Sequence, residues 1–294
     1  MYFKQTLLII VVLSLNLKAN WSLWRDNINH FTEQTNNTLL FTEDTKTGLI
    51  VDNLIADVAI ASWGFKNWSW GTRSFHFKRE DWFEKDSKTG GSDKTGHFYM
   101  TYLLSRVLSS RLQDRGMSLE EASFWGSCSA LLSMTLLEVG DGTSAYGFSK
   151  EDLLADSLGA FSAYLIRSNP KLDEFLDIRL EYFPTSGYLK NRDTATDYSG
   201  MKHLIAFEFS GFDEVKSNPN LTPLKYTELQ LGFYSRGYRG YDKNVKKSQQ
   251  LYFGVGFNLK EIAKKTGIHA LENLFEFYQP GGTYIESKIW KREP

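Results

Sequence analysis

The chain has 294 residues, enough for one large domain or two small ones. Its 34 Lys and Arg face 35 Asp and Glu, a net charge of -1, which excludes a general polyanion binder because phosphate neutralisation needs a basic surplus. There is no Lys/Arg-rich tract and no P-loop pattern, so neither nucleic acid nor nucleotide is an expected partner. Lys4 supplies a short positive region, Leu7 to Leu15 is apolar, and Leu17-Lys18-Ala19 has the form of an export cleavage site. The apolar run is about ten residues, short for a membrane span, so residues 1–19 are expected to be a cleaved signal peptide. No Cys stands at the cut, which removes the site for a lipoprotein anchor there. The single Cys128 has no partner for an internal disulfide and is expected to be a packed thiol in mid-helix.

Residues 20–47 are polar with scattered aromatics, and Asn36-Asn37-Thr38 is a formal glycosylation pattern. From Gly48 to Trp63 the apolar spacing predicts an amphipathic helix with Asp52, Asn53 and Asp57 on a solvated face. Phe65 to Phe83 is dense in aromatics and is expected to form a lid over the helices; exposed, it would suit a membrane interface or a partner. Helices are predicted over Asp93–Leu112, Ser118–Val139 and Lys150–Ile166, the second opened by the capping box Ser118-Leu119-Glu120-Glu121. Ala122 to Leu137 is an uncharged stretch with Gly126, Ser129, Ala130 and Ser133 along it, and predicts a buried central helix rather than a transmembrane one.

After Pro170 the period changes to two. Alternating apolar residues predict strands near Leu176–Tyr182, Ile205–Phe209, Leu229–Phe233, Leu251–Leu259 and Tyr284–Ile289, with a short helix at Ala270–Phe277. Gly187–Gly200 and Asp213–Thr222 read as polar loops. Alternation of this kind also occurs in outer-membrane barrels, but four or five strands cannot close one. The expected fold class is α+β: a signal at 1–19, a helical bundle carrying the polar residues at 20–170, and an antiparallel β-rich region at 171–294.

Acids, one Lys and one His gather at the predicted helix ends. Asp93 and His97 share a helix face, and Lys94 lies beside them. Asp93 also suits a helix N-terminus, and His97 alone has the bland reading of a satisfied core histidine. Glu138 ends a helix, where a carboxylate opposes the dipole, so it is expected to point inward to a partner. Asp141-Gly142 is a turn signal, and Asp152 completes a capping box with Ser149. Asp156 sits between Leu153-Leu154-Ala155 and Ser157-Leu158-Gly159. A charge there calls for Lys94, His97, a metal or a proton.

If the helix ends meet, Asp93, Lys94, His97, Glu138, Asp141, Asp152 and Asp156 form a candidate catalytic cluster. Within it, His97, Glu138 and Asp141 are the candidate ligands of a divalent metal. Neither a zinc-type H-E-x-x-H pattern nor a G-x-S-x-G elbow is present. The same groups could also simply pair as a polar lock between helices.

Trp82-Phe83, Gly90-Gly91-Ser92-Asp93-Lys94-Thr95-Gly96-His97, Glu138-Val139-Gly140-Asp141-Gly142, Gly147-Phe148-Ser149, Asp152-Leu153-Leu154-Ala155-Asp156 and Gly159-Ala160 together resemble the YfiM-like family of predicted periplasmic lipoproteins, a domain of unknown function. More distantly, the D-K-x-x-H opening, the mid-chain Glu and the late Asp pair resemble VanZ-like membrane proteins. The likeness spans Gly48 to Ile166, and Leu224 to Leu259 resembles the C-terminal part of longer members. The chain departs from these families in lacking a lipoprotein Cys and in having Asp156 where VanZ-like chains commonly carry Asn. The resemblance implies a cell-envelope location and supplies no activity.

An exported protein of the periplasm or outer membrane is therefore expected, with an envelope lipid or protein as partner. Two functional readings stay open, and with them the question of catalysis. In one, the cluster fastens helices of a structural, partner- or membrane-binding protein. In the other it serves a periplasmic hydrolase of envelope lipid or glycan, with a divalent metal as candidate cofactor. Solvent access to His97 separates them.

Overall fold

The computed structural model describes residues 43–239, 242 and 245–293. The expected signal peptide and the polar segment up to residue 42 lie outside the described residues. Four long helices come first: α1 (Glu43–Asn67), α2 (Ser92–Asp114), α3 (Leu119–Asp141) and α4 (Lys150–Ser168). Five strands follow: β1 (Leu176–Tyr182), β2 (Met201–Glu208), β3 (Thr227–Arg236), β4 (Ser248–Phe257) and β5 (Tyr284–Arg292). Between β4 and β5 lie two short helices, α5 (Leu259–Lys264) and α6 (His269–Phe277). The strands form one sheet in the order β1-β2-β3-β4-β5, every neighbouring pair antiparallel. The α+β class expected from the two periods is the observed one.

The centre of the bundle is α2. It packs on α3, on α4 and on the sheet, whereas α1 lies against α3 and α2. The helix expected to be fully buried, α3, instead shows Leu136 and Val139 to the outside. Helices start where side chains satisfy orphan amides: Ser118 Oγ accepts from Glu121 N and Ser149 Oγ from Asp152 N. Before α2 the chain turns through Gly90 and Gly91, both at positive φ. A Cβ on Gly91 would meet the Phe83 ring at 2.1 Å.

The α2–α3 seam is built from small polar residues, with Ser105, Ser109, Ser123 and Ser127 all buried. Small side chains let the backbones approach closely. A Cβ on Gly126 would stand 2.5 Å from the Ser109 amide nitrogen, a backbone atom that cannot swing aside. Gly126→Ala is therefore expected to lower stability by about 1–3 kcal/mol, read as a shifted denaturant midpoint at unchanged m.

The bundle inverts the usual partition of residues. Along α4, the exposed positions between Glu151 and Arg167 are Leu154, Leu158, Phe161 and Leu165, one stripe of a helix. Helix α1 runs further than Gly48–Trp63, and its acids are not a solvated face. Asp52 pairs with Arg115 at 2.6 Å and with Arg111 at 3.4 Å. Its outward side is apolar instead, with Ile50, Leu54, Ile55 and Val58 exposed. By length and composition α1 is long and apolar enough to cross a membrane.

The sheet shows the same inversion. Charged residues that alternate along the strands point to the covered side. There Arg179 binds Asp177 at 2.6 Å, Glu208 at 2.5 Å and Glu228 at 2.9 Å, while Lys260 of α5 holds Asp177 at 2.8 Å. On the other side, Ile178 packs with Tyr99, Tyr102, Ala163 and Ile166 of the bundle. Phe207, Phe253 and Val255 on that side remain exposed.

Several local expectations change. Phe209 leaves β2 for a 3-10 turn, and Leu259 opens α5 rather than ending β4, because Asn258 caps that helix through Glu261 N. The loops near 187–200 and 213–222 contain helical turns at Ser186–Asn191, Asp213–Ser217 and Pro219–Tyr226. Of the aromatic lid, Trp70 is buried against Met134 and Leu137, but Phe75 and Phe77 stay exposed and meet edge-on, and Phe77 meets Phe148 in the same way. Cys128 is half-buried, and burial pushes its thiol up to about 12.

Candidate functional site

Connectivity brings the functional side chains to one end of the bundle. The N-terminal turns of α2 and α4 and the C-terminal turn of α3 lie there together, because α3 runs opposite to the other two. Asp93, Lys94 and His97 come from the first turns of α2, Glu138 and Asp141 from the last turn of α3, and Asp152 and Asp156 from the first two turns of α4. Residues far apart in the chain thus meet.

His97 is the hub. Its Nδ1 lies 3.2 Å from Asp156 Oδ1, and Asp156 also accepts from Thr101 Oγ1 at 2.7 Å. A carboxylate only accepts, so Nδ1 carries the proton in that contact. The other ring nitrogen, Nε2, stands 3.8 Å from Glu138 Oε1 and 3.9 Å from Asp152 Oδ1. Lys94, 2% exposed, ties the second half of the cluster together. It donates to Glu80 at 2.8 Å, to Asp93 at 2.9 Å and to Asp152 at short range. Glu138 Oε2 accepts from Ser149 N at 2.9 Å, which explains why an acid ends α3: it caps the entry to α4. Its Oε1, also buried, has no hydrogen-bond partner among the described residues.

The charges do not balance within the cluster. Glu80, Asp93, Glu138, Asp152 and Asp156 surround Lys94 and His97. Burial pushes the Asp152 carboxyl up to about 7 and raises Glu138 well above the carboxylate range, against the pull of His97. Burial also moves Asp141 up to about 6. For His97 burial opposes the charge, but Asp152, Asp156 and Glu138 outweigh it and hold the imidazole well above its ordinary value. Burial would likewise raise Asp93, yet Lys94 and His97 keep it far below. Such an arrangement holds protons at neutral pH, or accepts another cation in their place.

A pocket of about 240 Å³ opens onto this cluster. Asp93, His97, Asp141 and Asp152 form part of its lining, and Lys78, Arg79, Lys88 and Arg239 contribute cationic side chains. Asp141 belongs to the wall rather than to the His97 contact set, since its Oδ1 accepts from Trp70 Nε1 at 2.6 Å. Two groups bring ligand-type atoms within 4.8 Å of one another: His97 with Glu138 and Asp156, and Asp93 with His97 and Asp152. Asp156 therefore stands where the sequence suggested Asp141 as a third candidate ligand.

Two members escaped sequence reading. Glu80 lies in the aromatic-dense stretch, where nothing in its spacing marks it. Tyr198, whose hydroxyl donates to Asp93, sits in a segment that reads as a polar loop.

Residues 79–168 match a family model described as a predicted periplasmic lipoprotein, DUF2279. The matched stretch covers α2, α3 and α4 with every clustered acid, Lys94 and His97, and it supports a cell-envelope location. It omits α1 and the sheet. No curated protein and no solved structure matches the chain.

Proposed function

We propose that the protein is an envelope hydrolase with its acid–base centre at His97. The observation that carries this reading is the two-sided environment of the imidazole. Asp156, wholly buried, fixes Nδ1, while the ring lines an open pocket with Nε2 beside two carboxylates of raised pKa. A carboxyl moved by burial to about 7, as Asp152 is, can both hold and release a proton at neutral pH, as acid–base catalysis there requires. The His97 imidazolium is the proton donor to a leaving group. Asp152, with its carboxyl near neutrality, is the base that takes a proton from water. Arg79, Lys88 and Arg239 favour a substrate with an anionic group, as an envelope lipid or glycan would offer.

The test is product release from envelope lipid and glycan extracts by the full chain. His97→Gln and Asp152→Asn are expected to lower it by about 10²- to 10⁴-fold, measured below the unfolding midpoint of each variant. Equal rates in wild type and His97→Gln, or no turnover by any of them, would leave the fastener role as the better account.

A second reading rests on the unpartnered Glu138 Oε1, a buried acceptor facing His97. A divalent cation held by His97, Glu138 and Asp156 would satisfy it and offset the surplus of acid. Metal analysis of wild type beside His97→Ala decides: bound metal lost in the variant supports this reading, and equal content in both removes it.

A further inference from the structure

The outward side of the helical layer is not the surface of a water-bathed bundle. On α1, every exposed position from Thr47 to Phe65 is uncharged, a stretch of roughly 28 Å at helical rise. On α3, the exposed positions between Glu121 and Asp141 are Leu136 and Val139. On α4 they are the Leu154, Leu158, Phe161 and Leu165 stripe. Because α3 packs against both α1 and α4, the three helices form one layer. The charged residues of these helices are turned inward or kept to the ends. An uncharged apolar surface on three adjacent helices far exceeds the isolated exposed Leu of an ordinary protein.

The occupant must be apolar, extended and able to cover about three helix widths. We infer that the outward face of α1, α3 and α4 lies in one leaflet of a lipid bilayer, with the sheet on the aqueous side. Two features select a leaflet over a span. First, the opposite side of the bundle is polar at mid-height, where Arg106 of α2 binds Asp173 and Glu276, both acids being partly exposed. A spanning bundle would carry that ion cluster into hydrocarbon, at a cost that one-sided insertion avoids. Second, β5 exposes Lys288, Lys291 and Arg292 among its apolar Ile285, Ile289 and Trp290, so this edge could not enter hydrocarbon without taking three cations with it.

The ends of the face match a headgroup boundary. At the site end, Phe65, Phe75 and Phe77 are exposed, and the Lys150 ammonium lies over the Phe77 ring. Exposed Lys66, Arg73 and Lys150 surround them. Aromatic rings with cations between them suit the headgroup layer of an anionic membrane. The opposite end carries Arg111, Asp114 and Glu120, also exposed. A second copy of the chain would also cover apolar surface. It would not, however, explain why the uncharged zone is bordered by aromatic and cationic residues at the level of the pocket.

The test places a nitroxide on the face. In a Cys128→Ser background, Phe161→Cys and, separately, Leu158→Cys are spin-labelled, with Thr222→Cys as the aqueous reference. The full chain is mixed with vesicles of phosphatidylethanolamine and phosphatidylglycerol. Collisions with oxygen, which partitions into lipid, and with a water-soluble nickel chelate are then compared. Several-fold higher oxygen accessibility than at Thr222, with exclusion of nickel, is expected at both face positions. Access by nickel would put the face in water and overturn the inference. Protection from both reagents would mean a protein covers it, which overturns the inference in favour of a second copy. Two independent positions guard against a single variant that misfolds.

Discussion

Lys94→Ala is expected to lose about 3–5 kcal/mol at pH 8, the cost of breaking a buried ion cluster from one side. The ammonium is 2% exposed and donates to Glu80, Asp93 and Asp152. Its own pKa is held upward: burial opposes the charge, and Asp93, Asp152 and Glu80 outweigh that. Removing it leaves three acids facing one another with His97 as the remaining cation in contact. Lys94→Met, which keeps the packing volume, isolates the electrostatic part and is expected to lose nearly as much. At pH 5 much of the loss should return, since the stranded carboxyls can then take up protons. Denaturant unfolding at both pH values measures this. A loss below about 1 kcal/mol at pH 8 would place Lys94 among ordinary surface pairs.

The second large effect is a fall in wild-type stability between pH 6.5 and pH 8.5. Its sign follows from which state holds the protons. His97 is raised above its unfolded value, so its contribution is complete below 6.5 and is lost as pH climbs through the folded pKa. Burial lifts Asp152 to about 7 and Glu208 to about 8, and raises Glu138 as well. For these acids the folded state keeps protons that the unfolded chain has already released. Stability therefore drops as pH rises through each folded pKa.

Three groups have the opposite sign and set the limits of the window. Burial and Arg236 push His203 down to about 3, so it costs stability only below 6.5, where the unfolded imidazole protonates. Asp93 and Asp177 lie below their unfolded values, and their stabilisation is lost only under about pH 4. Above 6.5 the descending contributions act without these opponents. A loss on the order of 2 kcal/mol across the window is expected in thermal unfolding. Asp152→Asn should flatten the slope, and a flat wild-type profile would mean that the cluster is solvated rather than buried.

Much of the architecture was legible in local pattern. The change from helical to alternating spacing near Pro170, and Ser118 and Ser149 as caps, act over a few residues, so sequence reading reaches them. The acid at Glu138 was legible too, since it contradicted the helix dipole and so announced a partner. That partner proved to be the amide of Ser149, with His97 on the other side. Tyr198 was illegible because it reaches Asp93 only after a long excursion of the chain, and Glu80 because the stretch between it and Lys94 has no regular period to set their relative position.

Sequence by itself determined which segments coil, which extend, and which polar residues sit where helix geometry alone would not want them. Tertiary structure decided the direction those segments face. Periodicity marks an apolar stripe but cannot say whether water, protein or lipid lies against it. In this fold Asp156, Lys94 and Arg179 go inside while Leu158 and Phe161 go out. Burying a charge is tolerable only once its partners arrive from other elements, and that condition is met by packing, not by any run of neighbouring residues.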